Sequence, residues 1–135
     1  MGLGLLRAGA DEATWETNLP KAQAAAKAAN KSVLLDFTGS DWCGWCIKLH
    51  KEVFSKPEFV EYAAKNLVLV EVDFPTKKKL SAEQKKANDA LAAKYKIKGY
   101  PTIIVLNSDG KKVGELGYQP GGPEAFIASL EKLKK

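Results

Sequence analysis

The sequence predicts an α/β fold with a central mixed β-sheet flanked by helices. Apolar segments typical of buried strands alternate along the chain with segments whose apolar residues recur at helical spacing. The last two strand-like segments are joined by an Asn-Ser-Asp-Gly sequence at residues 107–110, which predicts a hairpin turn. The element order α-β-α-β-α-β-β-α therefore predicts two parallel crossover units, followed by an antiparallel hairpin and a covering helix.

The first half of the chain contains three predicted helices and two predicted strands. The Ala-rich segment Pro20–Asn30 has a strong helix propensity, and proline is favourable at its first position. A second helix is predicted from the cysteines to about Val53, and a third begins at about Pro57. The apolar runs Val33–Phe37 and Leu67–Phe74 predict buried strands of the sheet.

The second half of the chain begins with a run of three lysines, which we interpret as solvent-exposed surface. An amphipathic helix is predicted within residues 76–98, where Ser81 and Gln84 form a candidate capping box. The remaining predicted elements are the two hairpin strands and the covering helix: Thr102–Leu106, Lys112–Leu116 and Pro123–Leu133.

The composition is that of one soluble globular domain, which we assign to residues 13–135. The 135 residues suffice for one core, 45% of them are hydrophobic, and no run approaches the ~18 apolar residues of a membrane span. We assign residues 1–12 to a tail. Its Ala8-Gly9-Ala10 sequence resembles the end of a cleaved export signal, so the tail is either a signal remnant or disordered. We accordingly expect an exported or periplasmic protein, with the cytoplasm as the alternative.

The basic residues do not indicate a nucleic-acid partner, although the formal net charge is +5. All of them are lysines except Arg7, and the lysines are spread over several segments. Base readout and bidentate phosphate binding favour arginine, so we interpret the lysines as a solubilising surface and expect no nucleic-acid binding.

The chain has only two cysteines, Cys43 and Cys46, and they are separated by two residues. No thiol remains for a disulfide framework elsewhere, so the pair is a redox couple, part of a zinc site, or two incidental thiols. The only other soft metal ligand is His50, four residues after Cys46, whereas a zinc site needs four ligands. We therefore expect neither a metal nor an organic cofactor.

The local pattern around the cysteines favours redox chemistry. A strand containing Asp36 ends, a Gly/Ser/Asp turn follows, and the cysteines lie where a helix begins. Free N–H groups and the positive end of the helix dipole then favour the thiolate of Cys43. Cys46, one helical turn later, is suitably spaced to resolve a mixed disulfide formed by Cys43.

With these features the sequence closely resembles the thioredoxin superfamily, over about Trp15 to the end. The sequence around the cysteines is most similar to that of the exported bacterial branch, which includes DsbD-like and disulfide-isomerase-like proteins. Three motifs at matching relative positions establish the resemblance: Leu35-Asp36-Phe37 followed by Trp42-Cys43-Gly44-Trp45-Cys46, Val72-Asp73 at the end of the next strand, and Gly99-Tyr100-Pro101-Thr102 before the hairpin.

The resemblance implies a thioredoxin fold and a thiol:disulfide oxidoreductase. It implies that Cys43 is the attacking thiol, Cys46 the buried resolving thiol, Asp36 the buried acid/base, and Pro101 a cis proline facing the cysteines. The implied partners are protein disulfide substrates and a redox partner that donates or accepts electrons, and we expect a monomer. The candidate substrate-binding residues form a groove for an extended polypeptide: Trp42, Gly44, Trp45, Tyr100 and Pro101.

Several alternatives remain open at this point. Trp45 occupies the position of thioredoxin's active-site proline, and Leu69 falls where thioredoxin has a lysine near the buried acid, so Asp36 has no evident partner. Asp36 could instead be a strand-end acid that reaches solvent, and Pro101 could be trans. The alternative function is a non-enzymatic peptide-binding module with a structural or idle cysteine pair. We lean to a reductase or isomerase.

Overall fold

A computed structural model of the chain describes residues 12–134, which form a five-stranded mixed sheet with helices on both faces. Residues 1–11 of the predicted tail, residues 1–12, lie outside the described residues. Across the sheet the strands follow the order β1-β3-β2-β4-β5. In chain order they are β1 (Trp15–Glu16), β2 (Ser32–Thr38), β3 (Leu67–Asp73), β4 (Thr102–Leu106) and β5 (Lys112–Leu116).

The helices agree with the sequence-based prediction to within a few residues. No helix among residues 12–134 is both long enough and apolar enough to cross a membrane. The helix after the cysteines differs in detail, because its second half is a π-helical turn, His50–Phe54. The α-helices are α1 (Leu19–Ala29), α2 (Gly44–Leu49), α3 (Pro57–Asn66), α4 (Ala82–Lys94) and α5 (Gly122–Leu133).

The strand directions correct one part of the predicted topology. β2 and β3 are parallel, as predicted, but β4 runs antiparallel to β2 and does not neighbour β3. The far edge of β3 is occupied by β1, a two-residue parallel strand that the sequence analysis missed. The second parallel crossover therefore joins β1 to β2 through α1, while β4 and β5 form the predicted antiparallel hairpin.

Alternation along the strands divides the core between the two faces of the sheet. Leu34 and Leu69 face α2, α3 and α5, where they pack with Leu49, Phe54 and Phe126. The opposite face packs against α1 and the residues around α4, through side chains that include Val33, Leu35, Phe37, Val70 and Val72. Burying these side chains on both faces is the main driving force for the fold. Because side chains alternate along β2, Asp36 projects from the same face as Leu34, toward α2.

Helix α4 packs through a polar residue that the sequence analysis did not single out. Ala87 is exposed, whereas Asn88 is buried and donates from Nδ2 to the carbonyl of Asp73 at 3.0 Å. Only half of the predicted capping box forms: Ser81 Oγ accepts the N–H of Gln84 at 3.0 Å, while the Gln84 amide donates to Asn88. The buried amide thereby fastens α4 to the end of β3, beside the cysteine loop.

Candidate functional site

The two cysteines form a disulfide at the start of α2. Cys43 is the N-cap residue, and its Sγ accepts the backbone N–H of Cys46 at 3.2 Å. Their residue exposures are nearly equal, 6% and 5%, so burial does not distinguish their roles in this disulfide form. Their positions do distinguish them, because only Cys43 precedes the free N–H groups of the helix.

The loop between β2 and the cysteines is held by the end of β3. Asp73 is buried and accepts the N–H of Ser40 at 2.9 Å as well as the Ser40 hydroxyl. The carbonyl of Gly39 accepts the N–H of Cys43 at 2.9 Å. A Cβ on Gly39 would lie 2.2 Å from the Trp42 indole, so this position requires glycine for the close approach. These contacts fix the path of the backbone that leads into the disulfide.

Asp41 binds the loop that follows β3. Its carboxylate accepts the backbone N–H groups of Thr76, Lys77 and Lys78, at 2.9, 2.8 and 3.1 Å. These hydrogen bonds, with that of Thr76 the largest contribution, lower the pKa of Asp41 below its ordinary value. A carboxylate that accepts several N–H bonds is stabilised in its charged form, so Asp41 acts as an ionic clamp between the two loops.

Asp36 is buried on the face of the sheet that packs against α2, with 8% of its surface exposed. Among the described residues, its Oδ1 has no hydrogen-bond partner. Desolvation raises the pKa of Asp36 to about 8, and the negative charges of Glu71 and Asp73 add to the effect. The alternative of a strand-end acid in contact with solvent does not fit this burial, whereas a proton-carrying carboxyl does.

A second carboxyl group lies next to Asp36 on the neighbouring strand. In the register of β2 and β3, Asp36 is directly opposite Glu71, and both side chains project from the same face. Glu71 is half-buried, and its pKa is raised by burial and by Asp73, against the opposing influence of Lys78 and His50. Leu69, which falls where thioredoxin has a lysine, lies two residues before Glu71 and pairs with Leu34. The residue opposite Asp36 is therefore an acid.

The aromatic residues predicted to bind substrate lie around the disulfide. Trp42 and Trp45 have 46% and 57% of their surface exposed. Trp42 is also a packing residue, since its indole N–H donates to the carbonyl of Phe74 at 2.7 Å and its ring contacts Tyr100 edge-on at 5.7 Å. The Tyr100–Pro101 peptide bond is cis, which confirms the prediction for Pro101. Gly44 is exposed, and the space where a Cβ would lie is open.

Trp45 and Tyr118 form a second aromatic pair at the site. The rings of Trp45 and Tyr118 are 5.0 Å apart, and Lys48 Nζ lies 5.1 Å from the Trp45 ring centroid and 5.5 Å from that of Tyr118. The Tyr118 hydroxyl donates to Glu52, which raises the pKa of Tyr118. Lys48 thus holds Trp45 by a cation–π contact while leaving most of the indole exposed.

The sequence analysis did not single out Asp41, Lys48, Glu71 or Tyr118. Asp41, Glu71 and Tyr118 act through partners distant in the chain, so no local pattern marks them. The Glu-x-Asp spacing at the end of β3 could have indicated Glu71, because it places both acids on one face of a strand. Among residues 12–134, no three His, Cys, Asp or Glu side chains are grouped as they would be to hold a metal ion.

Comparison with known proteins agrees with this geometry. The thioredoxin-like domain family matches residues 19–134. The chain is 38% identical over 109 residues to the disulfide bond reductase DsbH of Chlamydia pneumoniae, an alignment that covers 81% of this chain and 66% of that protein. It is 32% identical over 107 residues to the thioredoxin-related protein DsbJ of the same organism, covering 79% of this chain and 31% of the relative.

A solved structure agrees over a larger share of its length. The structure titled DsbH oxidoreductase superimposes with a TM-score of 0.85 at 36% identity, covering 90% of this chain and 84% of that one. The chain therefore spans about two thirds of one curated relative and less than a third of the other.

Proposed function

Because this chain belongs to the thioredoxin-like domain family, we propose that it is a thiol:disulfide oxidoreductase that acts on disulfides of protein substrates. The observation that carries the proposal is the Cys43–Cys46 disulfide at the start of α2, above the buried carboxyl of Asp36. A pair that only stabilised the fold would not need a buried carboxyl whose Oδ1 has no hydrogen-bond partner among residues 12–134, because that group costs stability.

In the reducing direction, the reaction begins with the thiolate of Cys43. It attacks one sulfur of a substrate disulfide, so a Cys43–substrate disulfide forms and the other substrate sulfur leaves as a thiolate. The N–H of Cys46, which lies 3.2 Å from Cys43 Sγ, and the helix dipole stabilise the attacking thiolate. The leaving thiolate takes a proton from solvent.

The second step releases the substrate. Asp36, when ionised, accepts the proton of the Cys46 thiol through a water molecule, and the resulting thiolate attacks the sulfur of Cys43. The Cys43–Cys46 disulfide forms, the second substrate thiolate leaves, and two electrons have passed from the dithiol to the substrate. With a pKa of about 8, Asp36 is roughly one-tenth ionised near pH 7, so this step accelerates as the pH rises toward 8.

We further propose that the protein acts as a reductase or isomerase. Gly44 and Trp45, between the cysteines, carry no charge that would stabilise the reduced form, and ionised Asp36 opposes the Cys43 thiolate. The relative named disulfide bond reductase supports the same direction. In our proposal the protein is an exported monomer, kept reduced by a membrane electron donor.

The test is catalysed reduction of a protein disulfide, followed as insulin precipitation with dithiothreitol as electron source. We expect turnover by the wild type, none by Cys43→Ser, and slower turnover by Asp36→Asn with loss of the acceleration between about pH 6 and about pH 8. Equal rates with and without the wild-type protein would instead support a binding module with an idle cysteine pair.

A further inference from the structure

The loop of residues 76–79, which we call the lysine loop, is held against the loop between β2 and Cys43. It contains Thr76 and three consecutive exposed lysines, and Asp41 accepts hydrogen bonds from three of its backbone N–H groups. Asp41 precedes Cys43 by two residues. The backbone of the lysine loop is therefore held next to the loop that leads into the disulfide.

A cleft of about 440 Å³ opens beside this loop. Apolar and half-buried groups supply part of its lining, and its charged lining residues are three lysines and Asp73. The cleft adjoins the site, because the carbonyl of Phe74 binds the Trp42 indole and the Phe74 ring lies 5.6 Å from that of Tyr100. The cleft lining includes three apolar residues and three lysines: Phe74, Pro75, Leu80, Lys78, Lys79 and Lys85.

The acids near the cleft already have partners. The Asp41 carboxylate is bound by backbone N–H groups, and Asp73 is bound by Ser40 and by Lys78, whose Nζ lies at 3.4 Å. Lys85 pairs with Asp89 at 3.2 Å. Within residues 12–134, Lys77 and Lys79 form no ion pair, so the loop presents positive charge that this part of the chain does not neutralise.

We propose that the lysine loop and its cleft bind an acidic segment of the polypeptide whose disulfide is attacked. This inference rests on the proposed oxidoreductase function and names the substrate class of that site. A chain that crosses Trp42 and Tyr100 continues over Phe74 into the cleft. There its acidic side chains meet Lys79 on the cleft lining and Lys77 on the adjoining lysine loop. Opposite charges on the two surfaces accelerate encounter and select the partner.

The test uses two peptides that differ only in charge. Each contains one cysteine in a mixed disulfide with 2-mercaptoethanol, flanked by glutamates in one peptide and by glutamines in the other. Rates of reaction with the reduced protein are measured at low salt. We expect the acidic peptide to react about tenfold faster, the lower end of the range for electrostatic steering. The preference should shrink as added salt screens the charges.

The test variant is Lys77→Glu/Lys79→Glu, which should abolish or invert this preference. The control is Lys65→Glu/Lys111→Glu, which changes the net charge equally at exposed positions near the opposite end of the sheet and should preserve the preference. Hydroxyethyl disulfide, which is uncharged, should react equally with all three proteins. Equal rates for the two peptides, or equal losses in both variants, would overturn the inference. Failure to react with any disulfide would overturn the proposed function instead.

Discussion

Replacing Asp36 with asparagine should stabilise the protein by an amount that depends on pH. Asp36 is 8% exposed, and its pKa of about 8 in the folded protein compares with an ordinary value of 3.8. Between these two values the unfolded chain releases a proton that the folded chain retains. Unfolding therefore becomes easier with rising pH, by about 1.4 kcal/mol per unit. The asparagine side chain of the variant cannot ionise, so the variant avoids this loss.

The expected gain follows from that slope. Near pH 7, the difference between the pH and the ordinary pKa of 3.8 makes the free energy of unfolding of the variant about 4 kcal/mol larger than that of the wild type. This stabilisation reaches its full value above the folded-state pKa of about 8. Below pH 3.8 both states of the wild type hold the proton, so the charge contributes no difference. Because folding raises the pKa of this acid, its contribution to the free energy of unfolding is fully present at low pH and is lost as the pH rises.

The assay is urea unfolding of the oxidised wild type and Asp36→Asn, from about pH 3.5 to about pH 9. Asp89→Asn is the matched control, because Asp89 is exposed on α4 in an ion pair with Lys85 and should change stability by at most about 0.5 kcal/mol. A difference between Asp36→Asn and wild type that stays constant over this pH range would refute the argument from burial.

Three further predictions concern the site. In the reduced protein, iodoacetamide near neutral pH should modify Cys43 before Cys46, because only Cys43 lies at the helix N-terminus; the opposite order would reverse their roles. Equilibration with glutathione buffers should give a reduction potential of about −270 to −200 mV, since the residues between the cysteines are uncharged, and a value above about −150 mV would identify an oxidant. Asp41→Ala should speed amide hydrogen exchange at residues 76–78 while leaving β3 unchanged, because it removes the acceptor for all three N–H groups; unchanged exchange would show that the lysine loop is held by other contacts.

Elements with a strong local pattern were predicted well. The bounds of β4 and β5 agree with the sequence analysis, because an apolar run and a turn sequence define the hairpin locally. β1 was missed because a two-residue strand has no periodicity, and it forms only by pairing with β3. The π-helical turn and the burial of Asn88 likewise depend on tertiary packing.

The site residues likewise divide into those that a local motif marks and those that depend on tertiary contacts. The two cysteines, Asp36 and Pro101 could be named from the sequence because a short motif marks each of them. Asp41 could not, since its three partners follow it by 35 to 37 residues and meet it only in the folded chain. The acidic neighbour of Asp36, Glu71, depends on the register of β2 with β3, which a local pattern does not define.

Trapping of the reaction intermediate tests the central claim most directly. Reduced Cys46→Ser should react with an oxidised protein substrate and stop at a stable mixed disulfide, because the resolving thiol is absent. Peptide mass spectrometry should locate the adduct on Cys43, and dithiothreitol should release it. Cys43→Ser, mixed with the same substrate for the same time, should form little adduct. An adduct that forms equally well on Cys46 in Cys43→Ser, or no adduct in either variant, would contradict the assignment of Cys43 as the attacking thiol.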